Sequence, residues 1–227
     1  MCGFPPVHQV HGVAGRTTHA GGFLFQGLDE VPAKSQLRRR LRQQRRDLSP
    51  EALQCAAIAL SNHLVRLNHF QRARHIGLYW PMQGEISPLP LMQHPIAVNK
   101  HFYLPVLAGQ FARGLRFAPF NPHAAMRNNR FRIPEPQVSP SHQRSVRELD
   151  LLILPLVAFD AEGYRLGMGG GFYDRSLAHL PHRRSWRRPR LIGVGHAFQE
   201  VPRVPKEPWD IPLGIVCTEM GCYRIRS

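Results

Sequence analysis

A mixed α/β fold is what this sequence predicts, and three observations carry the prediction. Short apolar runs recur along the chain, separated by helix-length or loop-length intervals. Two early segments repeat apolar residues at helical spacing. Between them and the C-terminus, the apolar run Leu149 to Phe159 leads into Arg165-Leu166-Gly167-Met168-Gly169-Gly170-Gly171-Phe172-Tyr173-Asp174, which reads as strand, glycine turn and helix start. At 227 residues the chain is long enough for one α/β domain with a real core and too short for two large ones.

Residues 1–32 are rich in Gly and His and lack a helical or strand period. They read as a disordered extension or an overextended start, with the folded domain at 33–227. They have neither a basic n-region with a long apolar core nor the arginine content of a transit peptide. Helical periodicity begins at Lys34: Leu37, Leu41 and Leu48 mark one face, and Lys34, Arg38, Arg42 and Arg45 share another. Ser49-Pro50 then supplies an N-cap and a first-turn proline for a second helix, whose stripe is Leu53, Ala57, Leu60, Leu64 and Leu67.

His75 to Trp80 reads as a short buried strand, and the Gln83-Gly84 turn after it leaves Glu85 on a loop just past the strand end. In open α/β sheets that position borders the ligand crevice. Further strands are expected at His101 to Leu107, Arg116 to Phe120, Leu149 to Leu156, Leu191 to Gly195 and Gly214 to Thr218. The Pro- and Asn-rich span Asn121 to Ser145 reads as a long surface excursion. A helix is expected from Phe172 to Leu180.

The formal net charge of +15 is concentrated in two segments, Lys34 to Arg46 and His182 to Arg190. Each fits either a solvated face or a nucleic-acid patch. No stretch approaches the roughly 20 apolar residues that cross a bilayer. Cys2, Cys55, Cys217 and Cys222 form no C-x-x-C pair or regular framework, which predicts free thiols in a reducing, cytoplasmic compartment. The 13 histidines are scattered, most of them predicted to face solvent, and none is assigned to a metal.

The glycine turn fits an ordinary tight turn and also a phosphate cradle, since glycines let consecutive backbone N–H groups face one anion. It lacks the Gly-Lys-Ser/Thr ending of a Walker loop, and a basic run follows it where a dinucleotide fingerprint would carry an acid. Arg165 offers a planar fork for a phosphoryl group, and Asp174 a hard oxygen for Mg²⁺.

Several motifs in order resemble the 5-formyltetrahydrofolate cyclo-ligases, also called methenyltetrahydrofolate synthetases. They are Ala33-Lys34-Ser35-Gln36-Leu37-Arg38, Pro81-Met82-Gln83-Gly84-Glu85-Ile86, Arg132-Ile133-Pro134-Glu135-Pro136, the Leu149 to Asp160 run, the glycine turn, and Glu207-Pro208-Trp209-Asp210-Ile211-Pro212. The resemblance covers roughly Lys34 to Glu219. It implies a single three-layer α/β/α domain with a mostly parallel central sheet, similar to the sugar-isomerase and CoA-transferase folds. It also implies an ATP- and Mg²⁺-dependent ring closure of 5-formyltetrahydrofolate to 5,10-methenyltetrahydrofolate, releasing ADP and phosphate.

By the same resemblance, Lys34, Ser35, Gln36, Leu37 and Arg38 bind ATP, together with Arg165 and the turn Leu166, Gly167, Met168, Gly169, Gly170, Gly171, Phe172 and Tyr173. Arg165 is the implied catalytic residue. Met168 to Phe172 also border the folate, with Glu85 holding its pterin and Trp80 packing on it. Asp174 and Asp210 are the implied Mg²⁺ carboxylates. This chain has Gly170 where some relatives place a lysine, and Gly214 where some carry a second aspartate. A monomer acting on 5-formyltetrahydrofolate and ATP is expected, with no membrane association. Nucleic acid is not required, although the basic clusters could bind it weakly; a nucleic-acid-binding protein is the competing reading.

Overall fold

The computed structural model describes residues 33–107, 114–178, 189–207, 210 and 212–225. The expectations for residues 1–32 and for most of the second arginine cluster lie outside them. All elements below belong to the unit Pro32–Ser227.

Four α-helices are present among the described residues: α1 (Lys34–Arg46), α2 (Pro50–Leu64), α3 (Asn68–Arg72) and α4 (Phe172–Leu177). Helix α2 starts as its sequence requires, with Ser49 Oγ accepting from Ala52 N at 3.2 Å and Pro50 in the first turn. The strands in chain order are β1 (His75–Gly77), β2 (His101–Leu107), β3 (Leu115–Phe120), β4 (Met126–Asn128), β5 (Pro134–Pro136), β6 (Arg144–Ser145), β7 (Leu151–Pro155), β8 (Ala158–Phe159), β9 (Arg165–Leu166), β10 (Arg190–Val194), β11 (Ile215–Thr218) and β12 (Gly221–Arg224).

Eight strands form one sheet in the order β12-β11-β10-β7-β1-β2-β3-β6. The run β11-β10-β7-β1-β2 is parallel, while β3, β6 and β12 add antiparallel edges. Alternation along β7 sorts the core between two faces. Leu151 and Ile153 join Ala56, Leu60 and Leu64 of α2, whereas Leu152 and Leu154 join Leu177 of α4. Helices on both faces give the three layers expected. A third cluster packs Leu37 and Leu41 of α1 against Val157, Ala158, Leu166, Val201 and Val204.

The parallel strands are ordered so that β1 and β7 are neighbours whose following chain segments diverge, β1 leading to β2 and β7 to β10. Such a switch point opens a crevice beyond the strands' carboxyl ends. The β8–β9 hairpin lies just beyond β7 and is organised by Asp160, which is 3% exposed. Its Oδ1 accepts from Glu162 N and Tyr164 N, and its Oδ2 from Val204 N, so this buried carboxylate is held by backbone donors.

Two expectations are corrected. Asn121 to Ser145 is not merely a surface excursion: it contains the β4–β5 hairpin and β6, which pairs with β3. Asn129 makes this possible, because its Oδ1 accepts from Phe131 N and Ile133 N and its Nδ2 donates to Glu135 Oε1. Cys217 and Cys222 are joined in a disulfide, not free thiols; they are directly paired across β11 and β12, with Cα atoms 4.1 Å apart. His196 is the one buried histidine among the described residues, 2% exposed. No helix among the described residues is long and apolar enough to cross a membrane.

Candidate active site

The polar residues of interest gather after the carboxyl ends of the parallel strands: Glu85 after β1, the Arg165 to Asp174 turn after β7, His196 after β10 and Glu219 after β11. Helix α1 lies across two of these segments and fixes both. Arg38 Nε donates to Gly167 O at 2.8 Å, tying the helix to the glycine turn. Arg42 Nη2 donates to Gln83 Oε1 at 2.8 Å, tying it to the Glu85 loop.

The glycine turn uses its special residues as the backbone demands. Gly169 (φ 96°) and Gly171 (φ 64°) occupy left-handed conformations, and Gly171 opens the six-residue helix α4. Arg175 Nη2 donates to Gly170 O at 2.8 Å. Two arginines thus hold carbonyls of the turn. Met168 is exposed, and Phe172 meets the ring of Phe131 edge-on at 5.8 Å. Arg165 Nη2 pairs with Asp174 Oδ1 at 2.8 Å, so the cation and carboxylate that bracket the turn meet each other.

At the helix start, Lys34 Nζ pairs with Glu207 Oε1 at 2.9 Å, and Asp210 Oδ2 accepts from Glu207 N at 2.8 Å. This draws Glu207 and Asp210 up to α1. Ser35 and Gln36 are exposed, but Leu37 is buried in the third cluster, so only its backbone could meet a nucleotide.

Glu85 sits deeper than a loop glutamate would. Its turn runs through Gln83 (φ 51°) and Gly84 (φ 75°), and a Cβ on Gly84 would lie 2.2 Å from Arg45 O. That close approach buries the carboxylate, whose side chain is 9% exposed. Oε2 accepts from Met82 N at 3.1 Å, and Oε1 faces Arg45 Nη1 at 3.3 Å. Burial pushes the Glu85 carboxyl above the usual range, with Arg45 opposing. Burial also raises the hydroxyls of Tyr79 and Tyr173, both of which feel the Glu85 charge as well. Trp80 is half-buried, edge-on to Phe120 at 6.0 Å.

Sequence reasoning misplaced Arg45 and missed His196, Glu219 and Tyr79. Arg45 shares the buried face of α1 with Leu37 and Leu41, at i, i+4 and i+8, and not the cationic face with Lys34, Arg38 and Arg42; Leu48 is only half-buried. His196 Nε2 donates to Gly84 O at 3.0 Å, and its Nδ1 lies 3.9 Å from Glu219 Oε2. Both Glu219 oxygens accept from Ala197 N at 3.1 Å. Position just past a strand end, the signal that marked Glu85, applies equally to His196.

Asp174 and Asp210 each commit one oxygen to a protein partner and retain the other. No group of three or more His, Cys, Asp or Glu among the described residues gathers to hold a metal. Mg²⁺ commonly takes one or two carboxylates and completes its shell with water and phosphate oxygens. A single carboxylate such as Asp174 or Asp210 is the kind of donor used by an ion that arrives with a nucleotide, not part of a protein cage for a metal.

Fold and site together define an α/β protein of the doubly wound type, with a glycine turn and buried polar groups at the strand ends. The sequence profile of the 5-formyltetrahydrofolate cyclo-ligase family matches residues 30–219, and the chain belongs to that family. It is 38% identical to the 5-formyltetrahydrofolate cyclo-ligase of Haemophilus influenzae, over 79% of this chain and 94% of the relative. It is 36% identical to that of Escherichia coli, over 78% and 96%. The NMR structure of Aquifex aeolicus 5,10-methenyltetrahydrofolate synthetase superposes with a TM-score of 0.71 at 30% identity, covering 86% of this chain and 93% of that one.

Proposed function

We propose that the glycine turn, α1 and the Glu85 loop form one pocket in which the family's reaction takes place. That reaction is the ATP-dependent conversion of 5-formyltetrahydrofolate to 5,10-methenyltetrahydrofolate, with release of ADP and phosphate. The observation that carries the proposal is the double attachment of α1, through Arg38 to the turn and through Arg42 and Arg45 to the Glu85 loop. One rigid helix thereby sets the distance between a phosphate site and a folate site.

A formyl amide oxygen is a poor leaving group. In the proposed sequence it attacks the γ-phosphorus of ATP and ADP leaves; N10 then attacks the activated formyl carbon and gives up its proton to water, and the C–O bond breaks to release phosphate. The protein aligns reactants and neutralises charge. Arg165, with its fork beside the turn, shifts from Asp174 toward the transferring phosphoryl group, and Lys34 and Arg38 face the triphosphate from α1. Asp174 and Asp210 would hold Mg²⁺, which when bound neutralises phosphate charge. The Glu85 carboxylate accepts N–H donors of the pterin, and Trp80 offers an apolar wall.

The first basic cluster supports this reading over the nucleic-acid one. Lys34, Arg38, Arg42 and Arg45 are each engaged with Glu207 or with the two candidate-site segments, which leaves Arg39, Arg40 and Arg46 as the exposed cations of the cluster. Steady-state kinetics test the roles: Lys34→Ala and Arg165→Ala should raise KM for ATP at least tenfold more than KM for the folate, and Glu85→Gln should do the reverse. An effect of the two cation variants confined to the folate would overturn the assignment.

A further inference from the structure

Arg45 is a costly residue for its position. It occupies the third place in an apolar stripe after Leu37 and Leu41, its side chain is 0% exposed, and Nε and Nη2 have no hydrogen-bond partner among the described residues. A buried guanidinium with two unsatisfied donors weakens a core that leucine or methionine would fill better. Its cation therefore serves something other than packing. Among the described residues the one carboxylate it pairs with is Glu85, at 3.3 Å across two elements 40 residues apart in sequence.

We propose that Arg45 is a positioning residue for substrate: from beneath the loop it holds Glu85 ionised and fixed in direction, so that the carboxylate presents acceptors to the N–H edge of the folate's pterin. The inference rests on the proposed role of Glu85. Burial alone would favour the protonated acid, which donates where an acceptor is needed. The other groups around Glu85 do not supply the missing charge as directly. Arg42 of α1 is engaged with Gln83, Tyr79 after β1 and Tyr173 of α4 are neutral hydroxyls, and His196 after β10 bonds Gly84 O with Glu219 after β11 beside it. The Gly84 contact with Arg45 O fixes the loop's height above the helix, so the guanidinium and carboxylate are kept in register by backbone packing.

The test compares wild type, Glu85→Gln, Arg45→Met, Arg45→Lys and the Arg45→Met/Glu85→Gln double variant, each measured for KM of both substrates between pH 5.5 and 8.5. Arg45→Met should raise KM for the folate about tenfold or more while leaving KM for ATP within about twofold. The acid limb on which folate KM rises as pH falls should move to higher pH by about one unit. Arg45→Lys, which keeps the charge, should return that limb toward the wild-type position even if affinity recovers only in part. In the double variant the arginine change should add less than about twofold to the Glu85→Gln loss, because its effect passes through the carboxylate.

Should Arg45→Met fail to fold, Arg45→Gln, which keeps a polar side chain but removes the charge, takes its place in the same comparisons. A wild-type folate KM and pH limb in Arg45→Met, or equal losses for ATP and folate, would overturn the proposal. If Glu85→Gln itself leaves folate KM unchanged, the underlying role of Glu85 fails first, and that outcome is separable from failure of Arg45 alone.

Discussion

His196 donates its Nε2 proton to the Gly84 carbonyl, which accepts only, so the neutral ring must carry its proton there. Burial lowers the histidine below its ordinary 6.5 and outweighs the Glu219 carboxylate at 3.9 Å. A folded-state value below the unfolded one means the contribution is fully present above 6.5 and is lost as pH falls through the lower folded value. His196→Gln should therefore cost about 1–2 kcal/mol near pH 7.5 by weakening the bond to Gly84. The gap to wild type should narrow on acidification below 6.5, as urea unfolding at several pH values would measure. A gap that stays constant or widens would contradict this. Glu85 has the opposite sign: a raised carboxyl favours the folded state at low pH, and that contribution is lost as pH rises through its folded value. Its carboxylate is thus kept for the site against a local stability preference.

At the scale of elements, the Gln83-Gly84 turn and α1 behave as one unit. Gly84→Ala would place a methyl 2.2 Å from the Arg45 carbonyl at φ 75°, so it should destabilise by at least about 2 kcal/mol and raise folate KM before ATP KM. By contrast, the Lys34–Glu207 pair is 30% and 43% exposed, and Glu207→Gln should change stability by less than about 1 kcal/mol. Thermal unfolding of the two variants checks both statements.

The elements differ in how far they could be read from residues alone. Helix α2 was legible because Ser49, Pro50 and a leucine stripe agree with one another. Helix α1 was legible in extent but not in orientation, because charge placed Arg45 with the solvated cations and only the packed structure reveals why a cation stands in the buried row. Strand β6 is two residues long and has no period to detect; it exists because Arg116 and Phe117 offer pairing partners. The Cys217–Cys222 link becomes visible only once β11 and β12 are known to turn back on each other.

For the whole molecule, the strand order sets where chemistry can occur. Chain segments diverge between β1 and β7; the Glu85 loop follows β1, and the glycine turn follows β7 by way of the β8–β9 hairpin. Position past a strand end marked Glu85 in the sequence and applies equally to His196, whereas the approach of Glu219 to His196 needed the sheet itself. The +15 net charge should draw ATP from a distance, so raising ionic strength from about 0.01 M to about 0.15 M should lower kcat/KM for ATP severalfold. Every proposed role depends on the pocket coupling ATP cleavage to folate ring closure. Purified protein mixed with 5-formyltetrahydrofolate, ATP and Mg²⁺ and followed by the absorbance of the methenyl product tests it directly. Product should form only with ATP and be lost in Arg165→Ala; folded protein that forms none, or forms it equally without ATP, would rule this coupling out.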